Sequence, residues 1–290
     1  MNKFKVFFTF IAFLWLLFCG AGAIFAIASG DGGNSMLAWL GLLINAWALP
    51  VWMLLRYRYP EKFAGDLRAS GALFGVLVGL AIVLLTDTAL GLPIYLAIGN
   101  LFVLLVYLYH LSTVMHPKMP AVDDKFPQLE LAGGQNWEAR QFCSARHLRG
   151  VLVVFLRGAF CAASRRQLHQ LHGLMPELAR RNIGMLLLSG QLPAHWPASL
   201  TAERTALAGE DCRLEQLDIA GTNAQGFIAG SAAPFLLHAF RRPARCTNAV
   251  RPSAWLLDAD GYILWRELAM NYRVPAEAEN LRSQLSRVED

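Results

Sequence analysis

Apolar and polar positions follow two regimes along this chain. Through residue 117 the apolar residues run in long blocks with short polar breaks, and beyond it they come in short runs and helical stripes. Four blocks stand out, at 6–28, 36–55, 71–85 and 92–110. A helix needs roughly 20 apolar residues to cross about 30 Å of hydrocarbon, so the blocks predict four membrane-spanning helices, the third of them short. Ala21, Gly22 and Ala23 would suit a cleavable signal. The length of the first block and the three blocks behind it point instead to an anchor.

Residues 119–125, MPAVDDK, are polar and contain proline. They divide the chain into a membrane region at 1–117, a linker at 118–125 and a soluble domain at 126–290. Within that domain 126–131 predicts a strand, Gly133 and Gly134 a turn, and 136–148 stays open between helix and loop. The runs 151–156 and 183–189 are continuously apolar, as in strands covered on both faces. Between them Leu168, Leu171, Leu174, Met175 and Leu178 form one stripe of a helix over 161–182, with Arg165, Arg166, Glu177, Arg180 and Arg181 turned mostly outward. Strand, crossover helix and strand make a parallel pair. A helix over 197–207, a strand over 212–219 and an irregular stretch over 232–247 come next. In 251–265, RPSAWLLDADGYILW, two apolar runs flank the turn residues Asp258 to Gly261 of a hairpin, and a last helix covers 276–287. The fold class is therefore an α/β domain with a central mixed sheet flanked by helices, preceded by an all-α four-helix transmembrane region.

Charge orients the membrane region. Lys3 and Lys5 precede the first block, Arg56, Arg58, Lys62 and Arg68 lie between the second and third, and no Lys or Arg surrounds Asp31 or Asp87. Positive residues in short loops stay on the cytoplasmic side, which puts both termini and the soluble domain there, in a bacterial inner membrane. The alternative, with the third and fourth blocks as one bent or re-entrant element broken at Asp87 and Pro93, would reverse that side. The formal net charge of +5 is spread over both halves without a basic stripe interleaved with aromatics, which argues against nucleic acid as a partner. The lipid bilayer is the first partner implied. Polar residues inside the blocks are few, Asn45, Asn100 and His110 among them, and the two asparagines read as interhelical hydrogen-bond partners. Cys19 is the one cysteine of the region, too few for a dithiol electron relay through the helices.

Candidate chemistry centres on Cys161, which comes after the break at Arg157 and Gly158 and opens the helical stripe. Unpaired N–H groups at a helix start favour a thiolate. Ser164 stands where a dithiol motif has its second cysteine, with a hydroxyl that can reach a thiolate. His169 and His172 are three apart without a Cys or acidic partner at metal spacing, and read as helix-surface residues. Asp258 and Asp260 read as turn residues rather than an acid pair. No metal or cofactor is implied.

These elements resemble the thioredoxin fold, and more closely the AhpC/TSA-type, peroxiredoxin-like redoxins, over roughly residues 126–285. The stretch VFLRGAFCAASRRQL is similar to a family pattern F-Y-R-G-x-W-C-x-x-C-R-x-Q-L, and RPSAWLLDADGYILW to R-P-x-x-F-x-I-D-x-x-G-x-I. The resemblance implies a nucleophilic role for Cys161, a cis-proline at Pro252 beside it, and the backbone of Arg251 presented to a substrate sulfur or peroxide. Arg157 and Arg165 flank Cys161 by four residues on each side, and Arg165 would lower the thiol pKa. Peroxiredoxins usually carry Pro and Thr where this chain has Val154 and Gly158, so the threonine hydroxyl that helps bind peroxide is missing. If Cys161 is oxidised to a sulfenic acid, Cys143, Cys212, Cys246 or an external thiol must resolve it, with Cys246 the favoured internal choice.

Two functions from different classes remain. One is a membrane-anchored thiol oxidoreductase with a single nucleophilic cysteine, reducing a peroxide or exchanging with a disulfide at the expense of a thiol reductant. The other is a catalytically degenerate thioredoxin-fold domain that binds a protein partner as a membrane-bound assembly module.

Overall fold

The computed structural model describes residues 2–30, 36–63, 66, 68–87, 91–191, 194, 196, 212–217, 226–227 and 249–289. The helix expected over 197–207, the irregular stretch 232–247 and Cys246 lie outside these. The chain forms two compact units, Lys3–Thr113 and Val114–Asp290.

In the first unit α1 (Asn2–Ser29), α2 (Met36–Arg58), α3 (Ser70–Thr86) and α4 (Leu92–Val106) coincide with the four apolar blocks, and α4 continues through a π turn at Tyr107–Leu111. Phe10–Ser29, Met36–Arg58 and Leu92–Leu111 are long and apolar enough to cross a membrane, whereas Ser70–Thr86 has 17 residues. One hydrogen-bonded chain ties the four helices together. The Trp15 indole of α1 donates to Asn100 Oδ1 of α4 at 3.0 Å, the Asn100 amide donates to Asn45 Oδ1 of α2 at 3.0 Å, and the Asn45 amide donates to the Val76 carbonyl of α3 at 2.8 Å. The two asparagines are thus interhelical partners, as expected. Small residues let α2 and α3 approach closely: a Cβ added to Gly79 would lie 2.6 Å from the Gly41 carbonyl oxygen and from the Asn45 nitrogen.

The second unit is built on a five-stranded sheet. Ahead of it, β1 (Leu129–Leu131) and β2 (Gln135–Trp137) make a separate hairpin turned by Gly133 and Gly134, and α5 (Ala139–Ser144) resolves the open stretch after it. The sheet strands are β3 (Gly150–Leu156), β4 (Ile183–Ser189), β5 (Cys212–Gln216), β6 (Ser253–Asp258) and β7 (Ile263–Leu268), in the order β5-β4-β3-β6-β7. β3, β4 and β5 run parallel, and β6 and β7 are antiparallel to their neighbours. A mixed sheet of this order with helices against it is thioredoxin-like.

Alternation along β3 makes two cores. Val151, Val153 and Phe155 face Leu186, Leu188, Trp255, Phe126 and Phe142, while Leu152, Val154 and Leu156 face Leu168, Leu171, Leu178 and Leu281. The helices on the second face are α6 (Ala162–His172), α7 (Met175–Arg180) and α8 (Ala278–Gln284). The single helix expected over 161–182 is therefore two. Pro176 has no N–H to continue the ladder from α6 and sits instead in the first turn of α7, where that loss is harmless. Arg166, expected to point outward, is buried on the core side and pairs with Glu277 at 3.3 Å. His172 is buried too, against the surface role expected for it. The hairpin turn at Asp258 is as read: its Oδ1 accepts the Asp260 and Tyr262 N–H groups, and Gly261 has φ +89°. The stretch expected to be a linker lies along β7, with Lys125 bridged to Tyr262, and with the Arg266 guanidinium on the carbonyls of Met119 and Pro120.

The hydrogen-bonded chain in the first unit is testable. Asn100→Leu removes two of its three links, each worth on average about 0.6 kcal/mol and at most about 1.7 in a bilayer. The full-length variant in detergent is expected to melt at lower temperature, and an unchanged melting temperature would show that the chain does not hold the bundle.

Candidate functional site

The parallel strands β3 and β4 end together, with Leu156 beside Ser189, and β6 starts beside the same end, with Ser253 opposite Phe155. Extending these registers by two residues puts Arg251 opposite Arg157 and Gln191 beside Gly158. This edge, the carboxyl end of the parallel strands, is where open α/β sheets generally hold their ligands. Cys161 lies just beyond it, at the N-cap of α6 with φ −91° and ψ 117°, and its carbonyl accepts the first helical bond from the Arg165 N–H at 3.1 Å. Its thiol is half-buried, whereas Cys19, Cys143 and Cys212 are buried.

The turn between β3 and Cys161 is held from three sides. Inside it, the Cys161 N–H donates to the Gly158 carbonyl at 3.0 Å. From α6, the buried Ser164 hydroxyl accepts the Arg157 N–H at 3.1 Å. From the end of β4, Gln191 Oε1 accepts the Ala159 N–H at 2.6 Å, and Gln191 is itself buried. Ser164 is thus a brace for the backbone ahead of the cysteine. Gly158 has φ +144°, and a Cβ there would lie 2.6 Å from the Phe160 ring and 2.8 Å from Gln191 Oε1. Threonine does not fit this turn, so more than a hydroxyl separates it from the peroxiredoxin pattern.

The opposite side of the turn is cationic and aromatic. The Arg157 guanidinium lies over the Tyr272 ring, its Cζ 4.2 Å from the centroid, and 5.4 Å from the centroid of Phe160. The Arg251 N–H donates to the Phe227 carbonyl and its Nη1 to the Gly226 carbonyl, both at 2.6 Å. Burial pushes the Arg251 pKa down from its ordinary value, and the Tyr272 phenol opposes this. His116 Nε2 is 2.9 Å from the Ala269 carbonyl. Burial also lowers the His116 pKa, the Ala269 carbonyl raises it, and Arg251 lowers it further. Pro252 is buried, and its carbonyl accepts the Ala269 N–H at 3.2 Å. Arg157, Arg251, Pro252, Ser164 and Cys161 therefore gather at one edge of the sheet. Arg165 is on the first turn of α6. Gln191, Tyr272 and His116 join them without any local signal in the sequence, because each arrives through a tertiary contact.

The other described cysteines are remote. Cys212 pairs in register with Met185, which pairs with Leu152, five strand residues or roughly 16 Å before Arg157. Cys143 lies beyond the start of β3, where its carbonyl accepts the Leu148 N–H. The seven residues of β3 separate it from the Cys161 end by roughly 23 Å. A disulfide needs Cα atoms within about 7 Å, so neither cysteine pairs with Cys161 in this fold. Burial, with Asp258 adding to it and Arg146 opposing, pushes the Cys143 thiol up to about 11. His169 and His172 meet edge to face with centroids 6.5 Å apart, and no group of three metal-ligating side chains exists among the described residues.

No protein-family model matches the sequence, and no curated protein matches it. Solved structures do match. The similarity is to redoxins. A peroxiredoxin-like protein from Aquifex aeolicus is 8% identical, with 61% of this chain and 92% of that one covered and a TM-score of 0.42. A thiol peroxidase from Chromobacterium violaceum is 16% identical over 61% and 92%, with a TM-score of 0.38. A 2-Cys peroxiredoxin from Plasmodium vivax is 14% identical over 59% and 81%, with a TM-score of 0.36.

Two measurements check this geometry. Gln191→Leu leaves the Ala159 N–H without its acceptor, a loss of about 1 to 3 kcal/mol where water cannot replace it. Hydrogen exchange at Ala159 is expected to speed up while β3 stays protected, and unchanged exchange would show that Gln191 does not hold the turn. With a pKa of about 11, Cys143 is protonated at pH 8 in all but about one molecule in a thousand. Mass spectrometry after brief alkylation of the folded chain at pH 8 should find Cys143 unmodified, and its modification at the rate of an exposed thiol would contradict its burial.

Proposed function

We propose that this protein is a membrane-anchored thiol oxidoreductase of the thioredoxin fold whose single nucleophile is Cys161. The observation that carries the reading is the station of that thiol. It is the described cysteine that is not buried, at the N-cap of an eleven-residue helix. There the N–H groups of the first turn and the helix dipole favour negative charge on sulfur. The braced turn fixes the thiol in place, and the guanidinium of Arg157 adds positive potential from the same turn.

The chemistry requires one thiol. The Cys161 thiolate attacks one oxygen of a peroxide, the S–O bond forms as the O–O bond breaks, and the departing alkoxide or hydroxide takes up a proton. The resulting sulfenic acid condenses with an external thiol, releasing water and leaving a mixed disulfide. A second external thiol displaces Cys161 and carries away a disulfide, so each peroxide consumes two thiols. Cys143 and Cys212 are too far from Cys161 to resolve it, which leaves Cys246, outside the described residues, or an external thiol as the resolving group. With a disulfide as substrate, the same thiolate attacks sulfur and the cycle begins at the mixed disulfide. Under this reading the four apolar helices anchor the domain in the membrane, and the positive loop between α2 and α3 puts the domain on the cytoplasmic face.

Cys161→Ser in the full-length chain is expected to reduce thiol-dependent peroxide consumption to the rate without protein and to abolish mixed-disulfide capture. Turnover that survives the substitution would overturn the assignment. A wild-type chain with neither activity would instead identify the domain as a binding module.

A further inference from the structure

Arg157, just after β3, and Arg251, just before β6, both lie near Tyr272, and among the described residues neither has an acidic oxygen within 4 Å. Arg157 keeps its place by stacking on Tyr272 and Phe160, and its Nε is buried without a hydrogen-bond acceptor. Arg251 donates through its backbone N–H and its Nη1, both to neutral carbonyls. The carboxylate on β7, Glu267, is opposite Ala254, whose side chain packs into the core on the other face of the sheet. His116 next to Arg251 adds no negative charge. The result is two guanidinium groups around one phenol at the turn that delivers Cys161, with their charge uncompensated among the described residues. An arginine stacked on an aromatic ring keeps its planar fork of donors in a fixed orientation, the arrangement that recognises carboxylate and phosphate.

We propose that Arg157, Arg251 and Tyr272 form a subsite for an anionic group, a carboxylate or phosphate, on the molecule that reacts with Cys161. The subsite rests on Cys161 being the reacting thiol, and it deepens that reading by naming the substrate class. Arg157 and Arg251 hold the anion, and Tyr272 fixes the plane of Arg157. The anion can belong to the oxidising substrate, as in a hydroperoxide that carries a carboxylate, or to the thiol reductant.

Alkylation of Cys161 in the full-length protein tests the subsite apart from turnover. Iodoacetate and iodoacetamide form the same S–C bond and release the same iodide, but only the first carries a carboxylate. The ratio of their rates cancels the thiolate fraction and reads the subsite. At Cys161 that ratio is expected to exceed the ratio for 2-mercaptoethanol by about tenfold. Arg157→Gln and Arg251→Gln should each bring it down severalfold, and Arg157→Lys should keep part of it. Without any variant, inorganic phosphate should slow iodoacetate while leaving iodoacetamide unaffected. A ratio equal to that of 2-mercaptoethanol, or one that neither arginine substitution nor phosphate changes, would overturn the subsite and leave the function of Cys161 standing. No reaction of Cys161 with either reagent would overturn both. Turnover then locates the anion. A lower KM for a carboxylate-bearing hydroperoxide than for tert-butyl hydroperoxide, lost in Arg157→Gln, assigns it to the oxidant. A lower KM for 3-mercaptopropionate than for 2-mercaptoethanol, lost in the same variant, assigns it to the reductant. Equal values in both comparisons count against the subsite.

Discussion

Everything at the candidate site depends on the burial of β3. All seven of its residues are buried, it is paired along both edges, and its alternate side chains seed the two cores. A slip of one residue would exchange Val153 and Phe155 for Val154 and Leu156 between cores of different shape, so the register is held by packing on both faces at once. A strand with so little freedom fixes where the chain leaves the sheet at Arg157. The four residues after it then need only a few hydrogen bonds to deliver Cys161 to one place.

Those few bonds explain why the turn departs from the redoxin pattern it resembles. Serine at position 164 supplies a good acceptor for the Arg157 N–H, whereas a thiol accepts hydrogen bonds weakly. Glycine at position 158 takes a φ of +144° and leaves room for Gln191 and Phe160, which a Cβ would displace. The two departures belong to one conformation. Ser164 restrains the start of the turn, Gln191 its middle and Gly158 its end at Cys161. Serine at position 164 therefore has a structural part in this turn.

The sequence discloses features encoded locally and conceals those assembled from afar. Continuous apolar runs mark β3 and β4 because strands buried on both faces have no polar period, and Asp258 to Gly261 mark the hairpin because that turn needs an acceptor and a positive φ. The asparagines of the apolar blocks are legible for a related reason, since a polar amide in a bilayer must find a partner. Arg166 misleads because its position on α6 is polar by composition, and its partner Glu277 comes from more than a hundred residues away. The helix break is written in Gly173 and Pro176, yet the apolar stripe runs through both. Gln191, Tyr272 and His116 carry no local mark of any kind. Their roles appear only when the strand ends are set side by side.

The cysteines show how far environment outweighs residue type. Cys143 lies among Phe142, Leu148 and Trp137 near the start of β3, and burial with the help of Asp258 holds it as a neutral thiol. Cys161 lies at the other end of the same strand, where a helix N-terminus and Arg157 both contribute positive potential and the side chain reaches solvent. The two ends of a parallel strand hydrogen-bond alike but join different kinds of chain. The amino end receives a chain arriving from a loop, and the carboxyl end hands it to a helix whose first N–H groups have no intrahelical acceptor. That asymmetry concentrates positive potential at one edge. Two arginines with no carboxylate beside them among the described residues reinforce it there, and a nearby acid would have cancelled it.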